Sequence, residues 1–433
     1  MMSFEALNLN QHLLRALQAA NYTEPTEVQA AAIPPALAGA DLMVSSRTGS
    51  GKTASFMIPA LTLVLKARED KTQPRKFGPR VLVLTPTREL ALQVAKAAVD
   101  YGRFVPGLRV ATVVGGVPYG AQLAALRGPL DILIATPGRL IDHLGSGKAQ
   151  LGNIDMLVLD EADRMLDMGF IDDIRLIVAA TPKERQTVMY SATFNGHVGR
   201  LAADLLRDPQ RIESNSQTEN HADIEQRLHW ADDFEHKNAL LDHILTERSM
   251  EQAVVFTSTQ RDADWLADRL HEMGHSVASL HGGMPQGRRT RVLQGLRNRH
   301  LRVLVATDVA ARGLDVPSIS HVINFGLPMK EEDYVHRIGR TGRAGRSGLA
   351  VTLAERRDFG MIQRIQRFTT QRIPAATIEG LEPKRAEPKP VPAAAARFSK
   401  PGAPGKGFAR AGGKPFKPAG KTFTKAGPRA VRD

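Results

Sequence analysis

Two clusters of residues in this chain have the types and spacing needed to hydrolyse a nucleoside triphosphate. Residues 160–163, Asp-Glu-Ala-Asp, close the apolar run 156–159, and residues 46–53 form a glycine-rich segment that ends in Gly-Lys-Thr. A buried strand that ends in acids can hold a hydrated Mg²⁺ and a water molecule, provided that a phosphate chain is held beside it. The two clusters together predict a site that hydrolyses a nucleotide.

The glycine-rich segment is suited to hold the phosphates. Gly49 and Gly51 let backbone N–H groups turn inwards around phosphate oxygens. Lys52 supplies a positive charge for the β- and γ-phosphates, and Thr53 can ligate Mg²⁺. A Gly/Ser turn that caps a helix is the alternative, but the apolar strand before the segment and the apolar helix start after it favour a phosphate loop. The predicted loop comprises Ser46, Arg47, Thr48, Gly49, Ser50, Gly51, Lys52 and Thr53.

The acidic cluster also fits a structural role. Acids at the N-cap and first turn of a following helix, predicted at 164–170, would satisfy free N–H groups and the helix dipole. One acidic turn can serve both purposes, so this alternative stays open beside the metal and water role.

Short β-rich runs alternate with helical patterns along most of the chain, and they position these clusters. One set of runs lies between residues 42 and 190 and a second between residues 253 and 352. Such alternation predicts an α/β fold with parallel sheets covered on both faces. Ligands bind beyond the carboxyl ends of such strands, where the polar and glycine-rich sequences lie. The predicted organisation is a first domain at 1–210, a linker at 211–223 and a second domain at 224–382, with a cleft between the domains.

Composition excludes several classes of protein. The chain has 433 residues, 42% of them hydrophobic, which is enough for two buried cores and a tail. It contains no cysteine, which excludes disulfides and Cys-ligated zinc and fits a reducing compartment. No apolar run approaches the roughly eighteen residues of a membrane span, and the N-terminus does not resemble a secretory signal. We therefore expect a cytoplasmic protein.

Most of the net charge of +13 lies at the C-terminus. From Lys384 onwards there are thirteen Lys and Arg residues against two acids, a net of +11, so the rest of the chain is nearly neutral. The segment 383–433 is rich in Pro, Gly, Ala and Lys and lacks apolar periodicity, which predicts a disordered basic tail. Its four interleaved phenylalanines favour a grip on single strands by charge and stacking. A solubilising linker is the alternative.

Further motifs follow in order along the chain. They are residues 22–29 (Tyr-Thr-Glu-Pro-Thr-Glu-Val-Gln), 191–193 (Ser-Ala-Thr) and 336–346 (His-Arg-Ile-Gly-Arg-Thr-Gly-Arg-Ala-Gly-Arg). On these motifs the chain resembles DEAD-box ATP-dependent RNA helicases of the bacterial RhlE-like group over about residues 4–355. The resemblance implies two tandem RecA-like domains with an interdomain cleft, ATP and Mg²⁺ as cofactors, and RNA as the partner.

The resemblance implies a role for each nucleotide-site residue. Gln29 would bond the adenine edge, for which an amide suits because it both donates and accepts, and Phe4 would pack on the base. Asn21 departs from the glycine common in the family, which puts the local turn in doubt. Asp160 would orient the metal through water, and Glu161 would position the attacking water. A coupling set would link the nucleotide site to strand separation: Asp163, Ser191, Thr193 and His336.

The second domain would complete the site across the cleft. Gly339, Gly342 and Gly345 each cost a helix roughly 1 kcal/mol, so a loop-like presentation of the arginines is expected. By resemblance Arg340 and Arg343 are arginine fingers, which contribute ~10³ to 10⁵ in rate. Asp308 and Asp315 would contact the ribose and the other domain. For Arg337 and Arg346, a solvated or phosphate-screening role stays open.

By resemblance the RNA contacts are made by small residues, helix N-terminal amides and arginines. These groups approach backbone phosphates closely without reading sequence, and contact with the 2′-OH would distinguish RNA from DNA. The predicted residues are Pro86, Thr87, Arg88, Glu89, Gly115, Gly116, Thr136, Pro137, Gly138, Arg139, Gln286, Arg289 and Thr307.

The leading hypothesis is an RNA-stimulated ATPase that separates short duplexes by clamping and bending one strand as the domains close. Its partners would be single-stranded RNA and short duplexes, largely independent of sequence, within ribosomal or RNA-decay assemblies. An ATP-gated RNA clamp or scaffold with little unwinding is the alternative. A DNA translocase is disfavoured by the acidic tetrad and Gln29.

Overall fold

The computed structural model describes residues 3–45, 50–69, 78–213, 223–311, 316, 318–343 and 346–388. Several predicted features lie outside the described residues: Ser46, Arg47, Thr48 and Gly49 of the phosphate loop, Asp315, most of the predicted linker, and residues 389–433 of the predicted tail.

In the first lobe, residues 3–213, the described strands form one parallel sheet in the order β3-β4-β2-β5-β6-β1-β7. The strands are β1 Leu42–Ser45, β2 Val81–Leu84, β3 Val110–Val113, β4 Ile132–Ala135, β5 Met156–Leu159, β6 Gln186–Ser191 and β7 Gln210–Glu213. A 3₁₀ turn, Phe4–Leu7, precedes the helices α1 Gln11–Ala19, α2 Glu27–Leu37, α3 Lys52–Glu69, α4 Arg88–Tyr101, α5 Tyr119–Arg127, α6 Pro137–Gly145, α7 Ala162–Asp167, α8 Ile171–Ala179 and α9 Gly196–Leu205.

In the second lobe, residues 223–388, the described strands form a second parallel sheet in the order β10-β11-β9-β12-β13-β8. The strands are β8 Ile224–Ala231, β9 Ala253–Thr257, β10 Val277–Leu280, β11 Val303–Thr307, β12 His321–Asn324 and β13 Gly348–Glu355. The helices are α10 Phe234–Thr246, α11 Gln260–Glu272, α12 Gln286–Arg297, α13 Asp308–Ala311, α14 Glu331–Ile338 and α15 Phe359–Thr369, with a 3₁₀ turn at Arg356–Asp358.

The apolar strands form these sheets because both of their faces are covered. In β2, Val81 and Val83 join one hydrophobic core, while Leu82 and Leu84 join the core on the opposite face. Side chains alternate across a strand, so a continuous apolar run fits a central strand between two helical layers. The predicted α/β class with two parallel sheets is confirmed.

Three predicted boundaries are wrong. The predicted linker begins at 211, but Gln210–Glu213 forms β7 and pairs with β1; this edge strand carries mostly polar side chains and so lacks an apolar signal. The predicted tail begins at 383, but the backbone N–H groups of Lys384 and Arg385 donate to Asp232 at 2.7 and 3.1 Å. These bonds hold the start of the segment on the second lobe.

The third error concerns the helix after the acids. It was predicted at 164–170, whereas α7 is Ala162–Asp167 and a new helix starts at Ile171. Gly169, with φ of +84°, provides the left-handed residue that separates the two helices. Among the described residues, no helix combines the length and apolarity that crossing a bilayer would take.

Candidate nucleotide and RNA site

A cavity of about 520 Å³ lies between the two lobes and brings together residues from both. From the first lobe it is lined by Lys52, Glu161 and Asp163, and from the second by His336 and Arg340. The carboxyl ends of β1, β5 and β6, which are neighbours in the first sheet, supply the first-lobe part. Groups predicted to bind, activate and stabilise a triphosphate therefore meet in one space.

The described end of the phosphate loop is tied to the predicted adenine motif. Gln29 is fully buried; its Oε1 accepts the Thr26 N–H at 3.0 Å and its Nε2 donates to the Gly51 carbonyl at 3.1 Å. Thr26 Oγ1 also donates to the Ser50 carbonyl at 2.8 Å. Gly51 has φ of +89°, and a Cβ there would collide with the Gln29 amide, so this position requires glycine.

The remaining adenine-motif predictions fall in the same region. Phe4 is buried and packs edge-on against Tyr22 at 6.3 Å between ring centroids, within the core of the first lobe. Asn21 adopts φ of +59°, a left-handed conformation that Asn tolerates better than most residues, so the turn forms without glycine. The contacts of Gln29 and Phe4 with adenine stay predictions.

Asp160 has a carboxylate that fits a cation. The side chain is buried, and Oδ1 has no hydrogen-bond partner among the described residues. Burial raises the pKa of Asp160 to about 6, and the charge of Lys52 opposes that rise. A divalent ion held through water would satisfy this oxygen and compensate its buried charge. Thr53, the second predicted metal residue, lies one position beyond Lys52 at the start of α3.

No group of three or more acidic, histidine or cysteine side chains in the described part of the chain could hold a metal by itself. A single carboxylate is consistent with Mg²⁺, because this ion usually keeps several waters and shares its coordination with substrate phosphates.

Glu161 stands at a strained position next to positive charges. Its backbone is left-handed, with φ of +52° and ψ of +54°, which is uncommon for a residue with a long side chain. Burial alone would raise the pKa of its carboxyl, but Arg164 and Lys52 outweigh burial and lower the pKa to about 2, with help from Arg340. The residue predicted to position water is therefore an ionised carboxylate, and its side chain is 14% exposed.

Asp163 joins the acidic turn to the Ser-Ala-Thr segment. Its Oδ2 accepts the Ala192 N–H at 3.0 Å, and its Oδ1 accepts the Arg164 N–H at 2.9 Å. Ser191 Oγ donates to the Thr193 carbonyl at 2.6 Å and accepts the Thr193 N–H at 3.3 Å, which fixes the shape of the segment. The structure thus brings the predicted coupling residues together, and His336 faces them across the cavity.

The second-lobe arginines lie where α14 ends. The helix stops at Ile338 before Gly339, and Gly342 has φ of +63°, in agreement with the predicted loop. Arg340 is buried, lines the cavity and donates from Nε to the His336 carbonyl at 3.0 Å. Arg343 is not one of the cavity-lining residues; its Nε donates to the Gly339 carbonyl at 2.7 Å.

Arg337 corrects the sequence analysis, because it is not solvated. Its side chain is 1% exposed, and its Nε and Nη2 donate to the Asp308 carboxylate at 2.5 and 2.7 Å. The guanidinium also lies 4.9 Å from the centroid of the Phe256 ring. Arg337 thus connects α14 to the end of β11, and Asp308 is its partner. Arg346, by contrast, is partly exposed and pairs with Glu251 at 2.6 Å.

The predicted RNA residues of the first lobe gather beyond β2, β3 and β4, which are neighbours at one end of the sheet. Thr87 caps α4 and Thr136 precedes α6, so two helix N-termini present free N–H groups there. Gly116 has φ of +70°, and a Cβ on it would lie 2.5 Å from the Arg88 guanidinium. The predicted residues beyond these three strands are Pro86, Thr87, Arg88, Gly115, Gly116, Thr136, Pro137, Gly138 and Arg139.

Arg88 lies in an electropositive environment that suits a phosphate. Its Nε and Nη1 are buried and have no hydrogen-bond partner among the described residues. Burial lowers the pKa of Arg88, and the nearby charges of Arg289 and Arg139 lower it further, against the opposing effect of Glu89. A bound polyanion would relieve this repulsion.

Arg289 joins the two lobes beside the predicted RNA residues. Its Nε and Nη2 donate to Glu89 Oε1 at 3.0 and 2.9 Å, and its Nη1 donates to the His281 carbonyl at 2.9 Å. Gln286 opens the same helix, α12, and Thr307 ends β11, which pairs with β10. The second-lobe RNA residues therefore lie across from the first-lobe set, and their contact with RNA stays a prediction.

The sequence analysis did not predict three ion pairs that shape the site. The ion pair between Glu161 and Arg164 has the i, i+3 spacing of neighbouring helix side chains, which could have indicated it. The pairs Arg337–Asp308 and Arg289–Glu89 join residues 29 and 200 positions apart, and no local pattern signals them.

Comparisons with known proteins cover both lobes. The family model described as DEAD/DEAH box helicase matches residues 26–201, and the helicase conserved C-terminal domain matches residues 236–345. The ATP-dependent RNA helicase SrmB of Escherichia coli is 42% identical over 387 residues, which cover 89% of this chain and 86% of that protein. DeaD of Mycobacterium tuberculosis is 41% identical over 380 residues, which cover 88% of this chain and 66% of that protein.

Two solved structures of proteins bound to RNA are similar in fold to this chain. Dbp5 of S. cerevisiae bound to RNA and ADP BeF3 has a TM-score of 0.77 at 29% identity, over 86% of this chain and 96% of that chain. Mss116p bound to ssRNA and AMP-PNP has a TM-score of 0.79 at 27% identity, over 88% of this chain and 81% of that chain.

Proposed function

The chain belongs to the DEAD-box family of ATP-dependent RNA helicases, and we propose that it couples Mg²⁺-dependent ATP hydrolysis to local, non-processive unwinding of short RNA duplexes. The observation that carries this proposal is the interlobe cavity, in which Lys52 and Glu161 of the first lobe face Arg340 of the second. Hydrolysis at such a site requires both lobes, so anything that brings the lobes together controls turnover.

The reaction follows from the charges around the cavity. Glu161, an ionised carboxylate, orients the attacking water and accepts its proton as the oxygen bonds to the γ-phosphorus. The bond from the γ-phosphorus to the bridging oxygen breaks, and ADP leaves with that electron pair. Lys52 and Arg340 stabilise the charge that develops on the phosphoryl oxygens. Mg²⁺, held by Asp160 through water and by Thr53, would neutralise the β- and γ-phosphates.

RNA is the polymer that best fits the surface beyond β2, β3 and β4, where the predicted RNA residues lie. Burial lowers the pKa of Arg88, the nearby guanidinium groups of Arg289 and Arg139 lower it further, and helix N-termini add N–H donors beside them. Such groups hold a phosphate backbone in one geometry without reading its bases.

The test combines two assays on the same preparation. Phosphate release is measured with ATP and Mg²⁺, alone and with single-stranded RNA or DNA, and strand displacement is measured with a short RNA duplex. RNA-stimulated hydrolysis together with displacement supports the proposal. Stimulation without displacement favours the ATP-gated clamp, and equal stimulation by DNA would revive the translocase. The narrower RhlE-like assignment and a role in ribosomal or RNA-decay assemblies stay predictions.

A further inference from the structure

Arg164 contacts both lobes through one guanidinium group. Its Nη1 donates to Glu161 Oε2 at 2.8 Å, and its Nη2 donates to the backbone carbonyl of Val309 in the second lobe at 3.0 Å. The residue is 4% exposed, which is unusual for arginine and indicates a fixed position. A single planar group therefore spans from the catalytic carboxylate to the opposite lobe.

The second-lobe end of this contact is held firmly. Val309 follows Asp308 in α13, and Asp308 is bound at both oxygens by Arg337. Arg337 lies in α14, three residues before Arg340. The carbonyl that Arg164 reaches is thus tied, through Asp308 and Arg337, to the segment that carries the predicted arginine finger.

We infer that Arg164 is a positioning residue that makes the orientation of Glu161 depend on closure of the lobes. With the lobes together, the guanidinium is fixed at both ends, so the carboxylate is held in one orientation. With the lobes apart, the bond to Val309 is lost, and Arg164 and Glu161 can rotate together. The assignment rests on the proposed role of Glu161 in hydrolysis.

The chemistry of arginine is suited to this connection. Its rigid fork donates in two directions at once, whereas the compact ammonium of lysine can reach only one of the two oxygens at a time. The alternative is that Arg164 merely stabilises α7 by a buried i, i+3 pair. In that case its loss would lower the temperature of thermal unfolding and leave the kcat of the folded protein unchanged.

The experiment uses the full chain with Arg164→Gln and Arg164→Lys. Asp167→Asn is the matched control, because Asp167 lies in the same helix and forms an exposed interlobe pair with Lys330 at 2.5 Å that does not touch Glu161. Each variant is characterised by basal and RNA-stimulated kcat, the KM for ATP, RNA affinity and thermal unfolding.

We expect Arg164→Gln to lower RNA-stimulated kcat roughly ten- to hundredfold, the cost of a slightly misplaced catalytic group. Basal kcat should fall by a comparable factor, because hydrolysis requires both lobes with or without RNA. The KM for ATP should stay within about threefold, because Arg164 acts on Glu161 and not on the groups that hold the phosphates. Arg164→Lys should fall between Arg164→Gln and the wild type, and Asp167→Asn should match the wild type. A stimulated kcat within threefold of the wild type, or a KM for ATP that rises as much as kcat falls, overturns the assignment.

A second readout does not depend on hydrolysis. The sequence has no cysteine, so Lys183→Cys and Glu272→Cys place a donor and an acceptor dye on exposed positions of the two lobes. Loss of the Arg164 link should broaden the interlobe distance distribution, whereas Asp167→Asn should not. An unchanged distribution contradicts the link. If the wild type releases no phosphate with RNA, the proposed function fails, and this measurement still decides whether Arg164 links the two lobes.

Discussion

The sharpest test of the catalytic site is the substitution Glu161→Gln. Glutamine has nearly the same volume and keeps an oxygen that can accept from Arg164, so the change removes one negative charge and little else. The carboxylate is partly buried and ionised, with its pKa lowered to about 2 by Arg164 and Lys52 against the effect of burial. The variant therefore isolates the basicity of this group.

The expected fall in kcat follows from the loss of this basic group. A positioned general base contributes roughly 10² to 10⁴ in rate, so kcat should fall by that factor, which is about 3 to 5 kcal/mol of transition-state stabilisation. The KM for ATP should not rise, because Lys52 and Arg340 remain and one charge that repels the triphosphate is gone. RNA binding in the presence of ATP should persist, since the contacts beyond β2, β3 and β4 are untouched.

The assay is single-turnover hydrolysis with saturating ATP and RNA, combined with fluorescence measurements of nucleotide and RNA binding. Glu184→Gln is the matched control, because it makes the same chemical change on an exposed residue of the same lobe. Thermal unfolding of both variants separates loss of catalysis from loss of folding. Turnover by Glu161→Gln within threefold of the wild type would refute the assignment of the base.

Three further predictions follow from the structure. Arg340→Lys should lower RNA-stimulated kcat by ~10³ or more with little change in the KM for ATP, as steady-state kinetics would show, because an ammonium does not replace a guanidinium fork. Gly116→Ala should weaken RNA binding roughly tenfold in fluorescence anisotropy, since the left-handed backbone disfavours a side chain and the Cβ displaces the Arg88 guanidinium; an unchanged Kd contradicts that geometry. Deleting residues 389–433 should weaken RNA binding and flatten its salt dependence, because most of the net charge lies there; an identical salt slope would show that the segment does not contact RNA.

Much of the site could be predicted from the sequence because its chemistry is encoded locally. Lys52, Asp160 and Asp163 each lie where an apolar strand gives way to polar residues, and parallel strands bring such ends to one edge of a sheet. The loop-like arginine segment was likewise predictable, since glycines end a helix by their own conformational freedom. Each of these features can be predicted from the residues within a few positions of it in the sequence.

Other features depend on residues that are distant in sequence. Arg337 carries the same spacing signal as Arg340, yet the first is paired with Asp308 inside the second lobe and the second lines the cavity. The difference arises from which way each side chain points when α14 packs against α15 and the strands β8 and β13. The spacing of the arginines in the sequence does not specify the direction in which each side chain points.

The sequence by itself determined the reaction class and the order of the two lobes, because phosphate loops, acidic strand ends and apolar runs are short-range signals. The tertiary structure decided which charges surround the Glu161 carboxylate and how the lobes are joined. The strained backbone of Glu161, the span of Arg164 to Val309 and the pair Glu89–Arg289 all depend on packing. Electrostatic interactions act over ångströms in space, and only the folded chain sets those distances.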